Sequence, residues 1–167
     1  MSLIVCSPST QKFLEGKKFI VNHPPTKDIL PLQKSYNDVI AVGGGAVIDT
    51  AKILSKNPII CYPTTAAGAT ATSHSVYWDS DLKKNFYSYI PKEVIFEPNF
   101  IKSLPKNMLL HTKYDAISHC LDVIWSKDFN KLNKVKVENT LKKLLDPDIK
   151  PINIIKLGHK AGTFIEK

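Results

Sequence analysis

Asp115 and His119 stand four residues apart in the run Asp115-Ala116-Ile117-Ser118-His119-Cys120-Leu121-Asp122. On an α-helix that spacing places a carboxylate and an imidazole on one face, one turn apart. Both groups ligate divalent transition metals, and a catalytic metal site needs about three protein ligands plus an open position. The same spacing also describes an ordinary Asp–His pair on a helix surface, and spacing alone leaves both readings open. Asp122 is either an outer carboxylate that orients the imidazole or a solvated acid.

A second element with chemical potential is Gly43-Gly44-Gly45, set between the apolar run 38–42 and a helix-forming segment, 46–55. Glycines at a strand-to-helix turn let a pyrophosphate approach the backbone, and the helix dipole favours the anion. A tight turn with no ligand is the competing reading. The next apolar run is followed by Pro63-Thr64-Thr65-Ala66-Ala67-Gly68-Ala69-Thr70-Ala71-Thr72-Ser73, a loop of small and hydroxyl residues. Two such loops on consecutive strand ends, about 20 residues apart, suit a shared nucleotide crevice.

The elements that must position these groups follow from hydrophobic patterning. Strands are expected at 3–6, 19–21, 38–42, 59–62 and 93–96, with a hairpin of 75–78 and 86–89 around Asp79-Ser80-Asp81. Continuous apolar runs separated by helical segments point to a parallel sheet covered on both faces. From 107 to 125 the chain has neither Gly nor Pro and reads as a helix. Val137, Leu141, Leu144 and Leu145 form one later helical stripe, and Ile154, Leu157, Ala161 and Phe164 another that runs almost to Lys167. The boundary between an α/β half, 1–105, and a helical half, 106–167, falls after Pro105. The last stripe has no stop signal and reads as a helix cut short.

Composition narrows the function classes. The chain has 167 residues, of which 43% are hydrophobic and 23% charged, as in a globular protein. No apolar run is long enough to span a membrane, and no signal peptide is evident. Three scattered cysteines, Cys6, Cys61 and Cys120, argue against a disulfide framework and suit a reducing, cytoplasmic setting. The net charge is +8, and all 23 basic residues are lysine. Nucleic-acid readers lean on arginine for bidentate contacts, so no nucleic-acid partner is expected. A helical half cut short would leave apolar stripes unburied, so a homodimer, or association with a partner, is expected.

Taken together, three ordered motifs resemble the iron-containing alcohol dehydrogenase family, which shares a superfamily with glycerol dehydrogenase and dehydroquinate synthase. The segment 38–52 looks like the family's GGGSxxDxAK, with Ala46 in place of the serine. The loop from Pro63 sits where the family has PTTAGTGSE and matches it over four residues, while 115–122 resembles DAxxHxxE with Asp122 for the final Glu. The resemblance implies a Rossmann-like, parallel-sheet nucleotide-binding domain followed by the start of an all-helical metal-binding domain. It implies a reaction between an alcohol and an aldehyde or ketone, with NAD or NADP as hydride carrier and a divalent metal, Fe2+ or Zn2+, as Lewis acid. Carried over residue by residue, Gly43, Gly44 and Gly45 hold the pyrophosphate, Asp49 sits nearby, and Thr64 and Thr65 contact the cofactor. Asp115 and His119 become metal ligands; no catalytic acid or base is assigned. Two further histidine ligands in the family come from later helices. His159 does not stand at a ligand position and reads as a surface histidine. Ser7 stands where many relatives carry an acid that reads the ribose 2′-hydroxyl, and its neutrality admits NADP(H). The stretch through Trp125-Ser126 leans toward the subgroup containing phosphonoacetaldehyde reductases.

Overall fold

The computed structural model describes residues 2–102, 104–126 and 131–165. Its strands, in chain order, are β1 (Leu3–Cys6), β2 (Lys18–Ile20), β3 (Val39–Gly43), β4 (Ile60–Pro63), β5 (His74–Asp79), β6 (Leu82–Tyr87) and β7 (Glu93–Val94). Five of them form an all-parallel sheet in the order β2-β1-β3-β4-β7, while β5 and β6 make a separate antiparallel hairpin. The strands expected in the sheet are present, but the second hairpin strand is Leu82–Tyr87 rather than 86–89, because Asp79 already pairs with Leu82 and the turn is only Ser80-Asp81. The last strand of the sheet is shorter than expected, because β7 pairs with β4 only through Ile60–Glu93 and Cys61–Val94.

Helix α1 (Gly45–Leu54) covers one face of the sheet. Its Val47, Ile48, Ala51 and Leu54 fall at helical spacing and pack on Leu3, Val5, Val39, Ala41 and Cys61. The other face, expected to be helix-covered, is not. The connection from β1 to β2 makes only a three-residue 3-10 turn at Gln11–Phe13. Phe13 and Phe100, the latter from the short helix α2 (Pro98–Ile101), supply partial cover with ring centroids 6.2 Å apart. An open cleft of about 890 Å3 remains beside Ile4, Ile40, Val42 and Tyr62.

The helical half contains α3 (Lys106–Trp125), α4 (Lys131–Leu145) and α5 (Pro151–Ile165). Ala116, Cys120, Val137, Leu144, Ile154 and Ala161 form a second core, joined by Ala66 from the loop after β4. That loop therefore belongs to both halves of the molecule: it leaves the sheet and is sealed by the helices. The end of the last stripe, at Lys167, lies outside the described residues.

Candidate functional site

The glycine turn and the loop after β4 touch. A Cβ at Gly43 would meet Val47 Cγ2 at 2.6 Å, and one at Gly44 would meet Thr65 Oγ1 at 3.0 Å. One at Gly45 would stand 3.2 Å from the Ala67 methyl. The Thr64 amide donates to the Gly43 carbonyl at 3.0 Å. Packing alone thus disfavours a side chain at Gly43 and leaves tight room at Gly44 and Gly45, whether or not a ligand is present. Gly44 caps α1 without a side-chain cap, and the first amides of a helix have no carbonyl one turn back to bond. The arrangement leaves donors of a kind that bind anions. Thr64 and Thr65 are buried, at 6% and 8% exposure, in the same seam.

Asp49 lies one turn into α1, but it is turned toward the β5–β6 hairpin rather than standing free. Its carboxylate accepts a hydrogen bond from the Val76 amide. Burial pushes its carboxyl up to about 7, against the opposing pull of Lys52, that amide and Lys83. Lys52, 2% exposed, donates from Nζ to the carbonyl oxygens of Thr72 at 2.7 Å and His74 at 3.0 Å. The Asp49–Lys52 pair therefore pins the hairpin to α1, a structural role that the motif by itself did not disclose.

On α3, Asp115 and His119 do share a face, with His119 Nε2 3.9 Å from Asp115 Oδ1. That is too long for a hydrogen bond. It is short enough for one cation with bonds of about 2.0–2.2 Å to reach both donors after a small rotation. The imidazole lies against Gly68, where an added Cβ would be 3.1 Å from Cε1. Its Nδ1 is buried with no hydrogen-bond partner among the described residues. Asp122 is exposed one turn further on. The donor types fit a divalent metal, yet among the described residues no three His, Cys, Asp or Glu side chains gather as a metal site.

His159 is not a surface histidine. Its Nδ1 lies 2.9 Å from Thr70 Oγ1, and its ring meets Phe96 edge-on at 5.8 Å. Burial lowers its pKa. The reason is the helix seat beside it. Cβ atoms at Gly158 and Gly162 would stand 2.4 Å from the Ala66 carbonyl oxygen and 2.9 Å from Gly68 Cα, so α5 rides directly on the loop after β4. The Gly-x-x-x-Gly spacing at 158–162 was the available signal for this close approach. Helices α3 and α5 thus converge on one loop, whose other side packs on the glycine turn.

The three cysteines are free and buried. Burial raises Cys61 to about 12 and Cys120 to about 11, which makes both poor nucleophiles near neutral pH. No helix among the described residues is long and apolar enough to cross a membrane.

The elements thus define a five-stranded parallel sheet followed by a helical half that seats on the loop after β4. The family model of iron-containing alcohol dehydrogenases matches residues 20–105, and the chain belongs to that family. Maleylacetate reductase 1 of Cupriavidus pinatubonensis is 31% identical over 118 residues, which is 65% of this chain and 33% of that protein. Glycerol-1-phosphate dehydrogenase [NAD(P)+] of Methanococcus maripaludis is 30% identical over 142 residues, 80% of this chain and 41% of that protein. The chain thus spans well under half the length of these curated relatives. Among solved structures, sulfoacetaldehyde reductase from Bifidobacterium kashiwanohense in complex with NAD+ superposes with a TM-score of 0.78 at 18% identity, over 98% of this chain and 58% of that one. The iron-containing alcohol dehydrogenase of Thermotoga maritima does so with a TM-score of 0.77 at 17% identity, over 99% and 61%. These superpositions show the shared fold.

Proposed function

We propose that residues 1–105 are the dinucleotide-binding domain, and 106–167 the beginning of the metal-binding domain, of an NAD(P)(H)-dependent oxidoreductase that interconverts an alcohol and an aldehyde or ketone. The observation that carries this reading is the seat of His119 on Gly68. It brings the helix with two metal-type donors onto the loop that packs against the glycine turn. Gly43, Gly44 and Gly45 with the first turn of α1 bind the pyrophosphate, and Thr64 and Thr65 line the cofactor path beside them. Asp49 holds the hairpin that borders this path. Asp115 and His119 are the chain's contribution to a divalent site. A cation bound there supplies Lewis-acid polarisation of the substrate oxygen. The chain acts in the cytoplasm, and its exposed Tyr114 and Trp125 belong to a homodimer contact. A phosphonoacetaldehyde-type substrate is the narrower reading; relatives named for maleylacetate, glycerol-1-phosphate and sulfoacetaldehyde share its anionic character.

A second reading is favoured by the donor count. With two metal donors among the described residues, the chain would be a nucleotide-binding remnant that no longer turns over. One pair of measurements on the purified chain separates the two: NAD(P)H binding by fluorescence, and Zn2+ or Fe2+ retention after dialysis. Binding with metal retention and aldehyde-dependent NAD(P)H oxidation supports the enzyme. Nucleotide binding without either supports the remnant, and absence of nucleotide binding removes both.

A further inference from the structure

The hairpin of β5 and β6 stands apart from the parallel sheet, and its two outer edges differ. The Ser88 amide donates to the Ser73 carbonyl at 2.8 Å, so the hydrogen-bonded pairs of this ladder are Ser75–Phe86, Tyr77–Lys84 and Asp79–Leu82. The amides and carbonyls of the residues between them point away from the partner strand. On β5 these groups are engaged. The Trp78 amide donates to the Pro25 carbonyl at 2.8 Å, the Val76 amide donates to Asp49, and the His74 carbonyl accepts from Lys52 at 3.0 Å. On β6 they belong to Lys83, Asn85 and Tyr87, and nothing among the described residues bonds to them. All three residues are exposed, Tyr87 at 84%.

An open edge is a template for another strand, and lysines on it ordinarily keep such strands off. The sequence of β6 does so selectively. Two identical edges joined antiparallel about a two-fold axis have one residue at the centre of the contact. Centred on Lys83 or Lys84, the contact sets two lysines directly opposite one another, which repels. Centred on Phe86, it pairs only 85–87 within the strand. Centred on Asn85, it runs from 83 to 87: Asn85 meets its own copy, Lys84 meets Phe86, and Lys83 meets Tyr87. Each ammonium then opposes an aromatic ring, a favourable cross-strand pairing. The same register puts Lys83, Asn85 and Tyr87 at hydrogen-bonded positions, so every outward amide and carbonyl of these residues finds a partner.

We propose that β6 is a self-association edge: two copies of this chain join their hairpins through an antiparallel ladder centred on Asn85, making one four-stranded sheet. The inference rests on the homodimer of the proposed function, not on its chemistry, and adds a contact on a different element from Tyr114 and Trp125. Sedimentation equilibrium of the full chain measures the association, and the parent is expected to dimerise. Asn85→Pro removes an amide that points away from β5, so the hairpin ladder is kept, with circular dichroism and thermal melting as the check on folding. Its dimer is expected to weaken about tenfold or more. Tyr87 separates this register from general stickiness. Tyr87→Lys opposes the partner's Lys83 and is expected to weaken the dimer about tenfold or more, whereas Tyr87→Glu gains an opposite charge there and is expected to hold it within about threefold. Equal losses in the two Tyr87 variants, or a dimer untouched by Asn85→Pro, overturn the inference. A dimer that Trp125→Ser dissociates and Asn85→Pro does not belongs to α3, which overturns the ladder and leaves the homodimer standing. A monomeric parent overturns both.

Discussion

Gly158 rests on Ala66: a Cβ at 158 would stand 2.4 Å from the Ala66 carbonyl oxygen and 2.5 Å from its methyl. Two effects oppose each other in Gly158→Ala. Helix propensity favours alanine by about 1 kcal/mol. Overpacking against backbone that cannot move aside costs about 1–3 kcal/mol or more. The contact is with main chain, so the second effect wins. Net destabilisation of about 1–2 kcal/mol by urea unfolding is expected, whereas a stabilised variant would show that α5 does not ride on this loop.

The imidazole of His119 is held at a cost. A buried nitrogen with no partner forfeits about 1–3 kcal/mol. A histidine retained for packing would lose stability when replaced; one retained for a ligand need not. His119→Leu in the metal-free chain is therefore expected to be neutral or to raise stability by up to about 1 kcal/mol. The same variant should abolish Zn2+ or Co2+ binding measured by calorimetry or visible absorption. A clear loss of stability together with unchanged metal binding would remove His119 from the proposed site.

Most strand positions were legible because short Val- and Ile-rich runs have local causes; β6, whose Leu82–Tyr87 is rich in lysine and exposed, has no such run and was not. The two-face cover of the sheet was not legible. Gln11–Phe13 and Lys27–Leu32 fold as 3-10 turns where a doubly wound sheet ordinarily has helices, and nothing in 7–17 or 22–37 has an apolar period that would decide it. At the candidate site, the motifs singled out Gly43, Thr64, Asp115 and His119 as candidates, and the structure brings the elements that carry them together. Motif spacing could not tell that Lys52 is buried beneath the hairpin, since a lysine in a last helical turn usually faces water. His159 was misplaced for a related reason: a single stripe gives one helix's own face, while the partner against the glycine side is a tertiary matter.

Asp49 makes stability depend on pH. Its folded value, about 7, lies above the ordinary 3.8, so the folded chain holds the proton over that window. Stability from this group is complete below the unfolded value and is lost as pH rises through the folded one. The full shift amounts to roughly 4 kcal/mol; partial solvent contact reduces the expected loss to about 1–2 kcal/mol between about pH 4 and 7. Asp49→Asn keeps an acceptor for the Val76 amide and removes the charge. Unfolding curves of the variant should be flat over this window relative to the parent, and equal slopes would show that Asp49 does not titrate there.

His159 and Thr70 provide the opposite sign. Thr70 Oγ1 and His159 Nδ1 share a hydrogen bond at 2.9 Å, and the same hydroxyl lies 3.3 Å from the Ala67 carbonyl. Burial lowers the imidazole below 6.5, which makes its contribution complete above the unfolded value and lost as pH falls through it toward the folded one. Its ring resonances should accordingly remain those of neutral imidazole somewhat below that pH in an NMR titration. Thr70→Val leaves His159 Nδ1 without its partner, and His159→Leu leaves the hydroxyl with the Ala67 carbonyl. Each is expected to cost about 1 kcal/mol or more, while the double variant, apolar on both sides, should cost less than the two summed by about 1 kcal/mol. Additive losses would mean that the bond does not tie α5 to the loop after β4, and the seat of α5 would then rest on the close approach at Gly158 and Gly162 and on the packing of Ala66.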